Sequence, residues 1–363
     1  MDRKIWRNFD FVLLAATVLL IVFGVAMIYS ATPDTPDLQD LPRRQTVWVL
    51  VGLVLLLLVA AIDYRSFESL QKPLYALTII SLLLVLLMGQ VTHGAQRWLS
   101  GSSFQPSELA KLSLILFLSC YLGQKKDKLQ EFRALIFPLT ILFLFILLII
   151  KEPDYGTALL ICVICSVLLF IGGVRLKHFL ILGTSSLLLF TFYLFHASYR
   201  LNRIFAFLSP TKDPQGTGFQ VIQSKLAVGA GGLFGVSLGK STQKLFFLPC
   251  AHTDYIFAIV GEEFGLIGTL AILTLFIIFL WRGIVISLRA PTLVSQLIAA
   301  GLTLAIFTQA LLNISVVLGL GPPTGLPLPL ISFGRSSLLC TLLSIGILLH
   351  ISQRRSYRRS KNE

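Results

Sequence analysis

Apolar residues run along this chain in long uninterrupted stretches rather than alternating with polar residues. A helix needs about 20 mainly apolar residues to cross roughly 30 Å of hydrocarbon, and ten stretches approach or exceed that length. They cover residues 11–31, 46–63, 74–91, 106–123, 134–150, 156–174, 177–197, 255–281, 293–319 and 334–352. The pattern therefore predicts an all-α polytopic membrane protein with about ten transmembrane helices.

The placement of basic residues predicts the orientation of these helices, because Lys and Arg are enriched in the cytoplasmic loops of membrane proteins. With the N-terminus inside, 18 of the 30 Lys and Arg residues fall on cytoplasmic segments and 6 on the short outer segments. We therefore expect both termini in the cytoplasm. One long extracytoplasmic loop, residues 198–254, would then join the seventh and eighth helices.

Composition excludes two broad classes of protein. Apolar and aromatic residues make up 55% of the 363 residues and charged residues only 13%, about half of the ~25% that is typical of soluble domains. A soluble enzyme and a disordered chain are both excluded. The net charge of +13 agrees with basic cytoplasmic loops, so no nucleic-acid partner is expected. Residues 1–363 are expected to form a single transmembrane domain with a basic cytoplasmic tail over 353–363.

The long outer loop contains one more apolar segment, residues 219–230, which four polar residues interrupt. This mixed pattern favours an amphipathic helix over a further membrane span. We therefore expect this segment to lie in the outer interface of the membrane or to dip into it.

Four clusters of polar residues lie at helix ends that the predicted orientation places on the outer side. Polar and ionisable groups at membrane depth are costly, and they mark candidate functional sites. We therefore expect the clusters to converge on one outward-facing polar cavity. The clusters are residues 105–111 at the fourth helix, 152–157 at the sixth, 252–254 at the eighth and 327–337 at the tenth.

Several of these residues have both a structural and a functional interpretation. Glu108 and Lys111 are three residues apart on one helix face, so they neutralise each other, contact the substrate, or do both. Glu152 and Asp154 precede a helix, and capping is the favoured role for them. Asp254 stands at the mouth of the cavity, where partial burial would suit a carboxylate to accept a proton.

Other charged residues are candidates on weaker grounds. Arg200 and Arg203 lie just outside the seventh helix and are either interfacial anchors or partners of phosphate oxygens. Glu262 and Glu263 lie about two turns into the eighth helix, so at least one of them is expected to face the cavity or a basic partner. The candidate substrate-binding residues are Glu108, Lys111, Arg200, Arg203, His252, Ser332 and Ser336, and the candidate catalytic residue is Asp254.

Five segments stand at the predicted helix boundaries: QPSELAKL (105–112), EPDYGTALL (152–160), YRLNRIFAFLSPTKDPQGTGFQVIQS (199–224), LPCAHTDYIFAIVGEEFG (248–265) and GLPLPLISFGRSS (325–337). In sequence and order they resemble the SEDS family of bacterial shape, elongation, division and sporulation proteins. The resemblance spans nearly the whole chain. Within the family, the chain is more similar to the division members of the FtsW type than to the elongation members of the RodA type.

The resemblance implies a polymerase in the bacterial cytoplasmic membrane that joins lipid II units at the outer face, for septal wall synthesis. It implies that Asp254 is the essential carboxylate and that Glu108 and Lys111 line the central cavity. It also implies two kinds of partner, a class B penicillin-binding protein as transpeptidase and other membrane proteins of the division complex. Two positions depart from the family pattern: Cys250 replaces a common Glu, and Arg335 replaces a common Gly.

A synthetic enzyme outside the cytoplasm has no ATP, so its sugar substrate must arrive already activated, as on a polyprenyl diphosphate. Arg200, Arg203, Lys111 or a divalent cation such as Mg²⁺ or Mn²⁺ would balance the diphosphate charge, and no other cofactor is expected. A single base, Asp254, suffices for one inverting displacement. The alternatives are an elongation-type polymerase, a lipid II flippase and a non-catalytic division scaffold.

Overall fold

The computed structural model describes residues 9–32, 39–62, 64–92, 95–99, 104–178, 218–244 and 251–354, together with the single positions 183 and 207. The described helices are α1 (Phe11–Ala31), α2 (Leu41–Ala61), α3 (Tyr64–Met88), α4 (Pro106–Gln124), α5 (Phe132–Lys151), α6 (Tyr155–Ile171), α7 (Phe219–Ala230), α8 (Ile256–Leu288), α9 (Leu293–Val317) and α10 (Arg335–Gln353). An antiparallel hairpin of strands β1 (Gln90–Thr92) and β2 (Ala95–Trp98) lies between α3 and α4.

Among the described residues, seven helices are long and apolar enough to cross a membrane: α1, α2, α3, α5, α8, α9 and α10. Helix α6 is apolar but has 17 residues, and α4 carries two charged residues in its first turns. The all-α polytopic membrane fold predicted from the sequence is therefore confirmed. The predicted seventh helix, residues 177–197, falls almost entirely outside the described residues, so the full number of spans stays a prediction.

Helices α9 and α10 form the centre of the bundle. Of their most apolar segments, 72% and 83% of residues are buried, against 28% in α2 and 22% in α3. The exposed positions of α2 and α3 are mostly large apolar side chains, such as Leu50, Leu57, Leu77 and Leu87. An apolar outer surface around a packed centre is what a helix bundle in lipid requires.

One ion pair fixes the ends of α1 and α8 on the same side of the bundle. Asp10 caps the N-terminus of α1 by accepting from the Leu13 backbone N–H at 3.1 Å. The Arg282 guanidinium donates to both carboxylate oxygens of Asp10, with Nη2 to Oδ2 at 2.7 Å and Nε to Oδ1 at 3.0 Å. This paired geometry suits a planar guanidinium, and both residues belong to segments that the sequence predicts to be cytoplasmic.

Helix α8 is broken at Gly265, and the chain that follows α7 fills the break. Gly265 has φ 62° and ψ −155°, a left-handed conformation that favours glycine. Leu266 N–H donates to the Gly232 carbonyl at 2.9 Å, and Val236 N–H donates to the Glu262 carbonyl at 3.0 Å. The loop after α7 thus satisfies backbone groups that the broken helix leaves without their usual partners.

The segment 219–230 is a helix, α7, as the sequence pattern predicts. The loop after α7 reaches Gly265, nine residues beyond the first residue of α8, which is roughly 14 Å at 1.5 Å per residue. The loop after α7 therefore packs beside α8 at this depth, and the placement of residues 219–230 relative to the membrane interface stays a prediction. Leu233 and Phe234 at the tip are exposed apolar side chains, which suits contact with lipid.

Candidate functional site

The four polar clusters predicted to converge are joined in the structure by direct hydrogen bonds. Gln105 N–H donates to Ser336 Oγ at 3.0 Å, which links the start of α4 to the start of α10. Gln105 Nε2 also donates to Asp154 Oδ2 at 3.0 Å, which adds the start of α6. Ser332 Oγ donates to the Thr253 carbonyl at 2.6 Å, which adds the residues before α8. The starts of α4, α6, α8 and α10 therefore form one site.

Asp254 lies immediately before α8 and is half-buried. Asn313 of α9 fixes its backbone, because the Asn313 Nδ2 group donates both to the Asp254 carbonyl at 2.7 Å and to the Leu326 carbonyl at 2.8 Å. A buried side-chain amide thus holds the backbone on either side of the site in place, while Asp254 as a residue is only partly buried. This arrangement suits a group that reacts with a bound molecule.

His252 is held by the turn before α10. Its backbone carbonyl accepts from the Phe333 N–H at 3.0 Å, and its ring meets the Phe333 ring edge-on, with 6.2 Å between the ring centres. Burial lowers the pKa of the imidazole, so the neutral ring is favoured at this position. His252 lies two residues before Asp254 in the chain and can act as a neutral hydrogen-bonding group.

Glu108 and Lys111 neutralise each other inside the bundle. The Lys111 Nζ lies 2.8 Å from Glu108 Oε2 and donates to Gln309 Oε1 at 2.6 Å. Gln309 in turn donates through Nε2 to the Pro327 carbonyl at 2.9 Å. The ion pair that the sequence suggested for these two residues is therefore present, and their contact with the substrate stays a prediction. Both residues line a small cavity that Thr341 and Ser344 of α10 also border.

The two candidate serines make contacts within the protein. Ser332 Oγ accepts from the Leu328 N–H at 2.8 Å while donating to the Thr253 carbonyl, so this hydroxyl connects the turn before α10 to the residues before α8. Ser336 Oγ accepts from the Gln105 N–H. These contacts give both side chains a part in shaping the site, and their contact with substrate stays a prediction.

Asp154 caps α6 as predicted, whereas Glu152 does not cap this helix. The Asp154 carboxylate accepts from the Thr157 N–H at 3.4 Å and from Ser107 Oγ at 3.0 Å. Glu152 instead follows the last residue of α5, and its backbone N–H bonds back to that helix. Both Glu152 carboxyl oxygens are buried and lack a hydrogen-bond partner among the described residues. The capping role expected for Glu152 is therefore wrong, because its side chain turns into the protein instead.

Arg97 of β2 belongs to this site, although the sequence pattern did not single it out. Its guanidinium donates from Nε to the Glu152 carbonyl at 3.4 Å and from Nη2 to the Pro153 carbonyl. Its Nη1 lies 3.8 Å from Asp154 Oδ1. These partners are 55 to 57 residues away along the chain, so no local pattern could reveal the contact.

Glu263 has the basic partner that its depth in the membrane requires. Lys244 Nζ donates to Glu263 Oε1 at 3.0 Å, and Ser30 Oγ of α1 lies 2.6 Å from the same oxygen. Glu262 accepts from the Ser241 hydroxyl and from the Thr242 N–H, the latter at 2.9 Å. Both acids thus bind the segment that returns from the tip after α7, and they stabilise that segment.

Arg200, Arg203 and Cys250 lie outside the described residues, so their predicted roles stay predictions. In the part of the chain that the structure describes, no group of three or more His, Cys, Asp or Glu side chains is placed to hold a metal ion. Near Asp254, the Asp154 carboxylate is already taken up by Gln105, Ser107 and the α6 N-terminus. The described donors therefore do not fit a metal held by protein ligands alone.

The chain is similar to known proteins over almost its whole length. A family model described as "Cell cycle protein", built on FtsW, RodA and SpoVE, matches residues 11–357. Stage V sporulation protein E of Bacillus subtilis is 40% identical over 358 residues, covering 96% of this chain and 98% of the relative. A probable peptidoglycan glycosyltransferase FtsW of Trichlorobacter lovleyi is 40% identical over 362 residues, covering 96% and 95%.

Solved structures show the same fold. A chain from a peptidoglycan synthase complex that coordinates polymerization and crosslinking superposes with a TM-score of 0.82 at 31% identity, covering 96% of this chain and 99% of that chain. The rod shape determining protein RodA of Thermus thermophilus superposes with a TM-score of 0.72 at 29% identity, covering 96% and 97%.

Proposed function

Because the chain belongs to the FtsW, RodA and SpoVE family of cell cycle proteins, we propose that it is a peptidoglycan glycosyltransferase that polymerises lipid II into glycan strands. The observation that carries this proposal is the half-buried Asp254 at a site where four helix ends meet. Relatives named as glycosyltransferases and a synthase complex of the same fold support the reaction type.

The proposed reaction is one inverting displacement that forms a β-1,4 linkage. The acceptor sugar hydroxyl attacks the anomeric carbon of the donor sugar, and the bond from that carbon to undecaprenyl diphosphate breaks. Asp254 takes the proton of the attacking hydroxyl, which makes the oxygen a stronger nucleophile as the new bond forms. The diphosphate leaves with the electron pair, so no ATP and no second carboxylate is needed.

The diphosphate needs positive charge where it departs. Lys111 is a poor source, because its ammonium group is already bound to Glu108 and Gln309. Arg200 and Arg203 remain the proposed partners of the phosphate oxygens, on the strength of their predicted position beside the outer end of the seventh helix. The polyprenyl tails would enter from the lipid between helices, which accounts for a polymerase built from membrane helices.

The biological setting is part of the proposal. A relative named FtsW matches at 40% identity, against 29% for the RodA structure, which supports septal wall synthesis over elongation. We propose that the protein acts at the division septum with a class B penicillin-binding protein, because the sequence lacks the S-D-N and K-T-G motifs that accompany S-x-x-K in penicillin-binding transpeptidases. The similarity to a chain of a synthase complex that couples polymerization to crosslinking supports such a partner.

The test is glycan synthesis by the purified full-length protein from labelled lipid II, alone and with the class B partner, followed by sizing of the glycan. Asp254→Asn is expected to fold normally and to lower the polymerisation rate by on the order of 10²–10⁴-fold, the range of general base catalysis. Asp127→Asn, at an exposed position between α4 and α5, is the matched control and should leave the rate unchanged.

Polymerisation by Asp254→Asn at the wild-type rate would remove the base assignment. No polymerisation by the wild-type protein with its partner, combined with lipid II translocation in proteoliposomes, would replace the polymerase with a flippase. Full complementation of division by an inactive variant would instead favour a scaffold.

A further inference from the structure

The Arg97 guanidinium is held in place by the turn between α5 and α6. Two of its nitrogens donate to the carbonyls of Glu152 and Pro153, and Nη1 lies 3.8 Å from Asp154 Oδ1. The Arg97 side chain is 15% exposed. A guanidinium anchored by two backbone carbonyls and a carboxylate has a fixed orientation, so the position of Nη1 is fixed as well.

The same Nη1 atom lies close to Gly325, and the Asp254 carboxylate lies close to this glycine as well. A β-carbon placed on Gly325 would lie 3.5 Å from Arg97 Nη1 and 3.7 Å from Asp254 Oδ2. The cation and the carboxylate therefore approach the same point on the backbone from different parts of the chain. Gly325 has φ +71°, which favours glycine, and Asn313 holds the neighbouring Leu326 carbonyl in place.

We propose that Arg97 is a positioning residue for Asp254. Docked on the turn 152–154, the guanidinium orients the Asp254 carboxylate and favours its ionised form, in which it can accept a proton. Gly325 keeps the space between the two groups open for the reacting hydroxyl. This inference deepens the proposed function and rests on it, since it assigns Arg97 a role in the same reaction.

Arg97 is a cation close to Asp254, and several of the acidic groups around Asp254 are either paired or uncharged. The Asp154 carboxylate is already bound by Gln105 and Ser107, and burial keeps the Glu152 carboxyl group uncharged near neutral pH. Among the described residues, the charged or titratable side chains on the surrounding elements include Arg97 of β2, Glu152 and Asp154 of the α5–α6 turn, Glu108 and Lys111 of α4, Tyr155 of α6, His252 and Tyr255 before α8, and Arg335 of α10. Glu108 and Lys111 are paired with each other.

The test compares Arg97→Gln and Arg97→Lys in glycan synthesis from lipid II across a range of pH. In Arg97→Gln we expect kcat to fall by on the order of 10²-fold, as for a misplaced catalytic group, with KM for lipid II little changed. The acid limb of the pH–rate profile should move to higher pH, because loss of the cation makes Asp254 bind its proton more tightly. Arg97→Lys should restore the acid limb and only part of kcat, because an ammonium group cannot bridge the carbonyls and the carboxylate.

The matched control is Arg44→Gln, an exposed arginine paired with Asp40, which should keep the wild-type profile. Gly325→Ala tests the same geometry at the backbone, since it adds a methyl group in van der Waals contact with both Arg97 Nη1 and Asp254 Oδ2, at a position that disfavours alanine. Gly321→Ala, where an added β-carbon meets no atom within 4 Å, is its control. We expect Gly325→Ala to lower kcat and Gly321→Ala to leave it unchanged, with kcat measured at a temperature at which both variants are folded.

Two results would overturn the inference while leaving the proposed function intact. One is an Arg97→Gln variant whose kcat and acid limb are the same as those of an active wild-type protein. The other is a rise in KM without a fall in kcat, which would make Arg97 a substrate-binding residue. A wild-type protein that makes no glycan would contradict the proposed function itself, so the two failures are distinguishable.

Discussion

The Glu152 side chain is fully buried in the turn between α5 and α6, and within the described part of the chain neither carboxyl oxygen has a hydrogen-bond partner. Burial and, to a smaller extent, the Asp154 carboxylate raise the pKa of this carboxyl group to about 9, although Arg97 opposes the shift. The group is therefore protonated at neutral pH. A neutral acid beside Asp154 leaves Asp154 to carry the charge that Arg97 balances.

Glu152→Gln tests this protonation through stability. The carboxyl group loses its proton near pH 4.5 in the unfolded chain but only near pH 9 in the folded protein. Between these values the folded state binds more protons, so the contribution of Glu152 to stability falls as the pH rises. Glutamine keeps the shape and has no proton to lose. We compare the Tm of the variant with that of the wild type at each pH. The difference, variant minus wild type, is expected to increase by at least ~2 °C from about pH 5 to about pH 8.

The measurement is thermal unfolding of the purified protein in detergent at both pH values. Glu131→Gln, at an exposed position before α5, is the control and should show the same difference from the wild type at both. If the Tm difference between Glu152→Gln and the wild type is also the same at both pH values, Glu152 is ionised in the folded protein and the prediction is wrong.

At the scale of elements, the returning segment after α7 and the break in α8 depend on each other. The Glu262 and Glu263 carbonyls accept from Val236 and Ser237, and the Glu263 carboxylate accepts from Lys244 of the same segment. A single segment thus satisfies both the backbone and the side-chain charge of the broken helix. Asp254 lies two residues before the start of α8. By stabilising this part of α8, the returning segment therefore helps to hold the site in place.

Lys244→Gln is expected to destabilise the protein by about 3–5 kcal/mol, because it leaves the buried Glu263 carboxylate without its cation. The double variant Lys244→Gln with Glu263→Gln should recover much of this loss, since neither partner then carries a charge. Chemical denaturation in detergent measures the free energy of unfolding for each variant. Lys240→Gln, an exposed lysine on the same segment, should change it by no more than about 0.5 kcal/mol. Equal effects of Lys240→Gln and Lys244→Gln would contradict the role of the buried pair.

Hydropathy predicted the helices well because a helix in lipid must be apolar along its whole length. It placed the start of the third helix at 74, whereas α3 begins at Tyr64, because Arg65 and Lys72 lower the hydropathy of its first turns. The β1–β2 hairpin was missed, since seven residues in short strands give no clear periodic pattern. Arg97 was missed with it.

Convergence of the polar clusters could be predicted because helix direction alone places α4, α6, α8 and α10 with their first turns on one side. The pairing of particular residues could not, because it depends on contacts such as Asn313 with Asp254 and Gln105 with Ser336, which join distant parts of the chain. Glu152 illustrates the limit, since the sequence permits a cap and only tertiary packing buries the side chain.

At the scale of the whole molecule, the two faces of the bundle carry different chemistry. The Asp10–Arg282 pair joins α1 and α8 at the face predicted to be cytoplasmic, and Arg97, Asp154 and Asp254 lie together at the opposite helix ends. A polymerase that receives lipid II outside the cytoplasm needs the second face to be extracytoplasmic. The predicted orientation and the proposed reaction can therefore be tested by one measurement, the side of the membrane from which a reagent reaches position 254.

Cysteine labelling in spheroplasts tests this orientation on a background in which Cys250 is replaced by Ser. A membrane-impermeant maleimide is expected to label Asp254→Cys in intact spheroplasts, because the predicted orientation places this half-buried position on the outer side. Asp127→Cys, exposed between α4 and α5, should react only after lysis, since that loop carries the basic residues Lys125, Lys126 and Lys128. Labelling of Asp254→Cys only after lysis would place position 254 on the cytoplasmic side. Glycan strands are not made there, so the polymerase proposal would then be wrong.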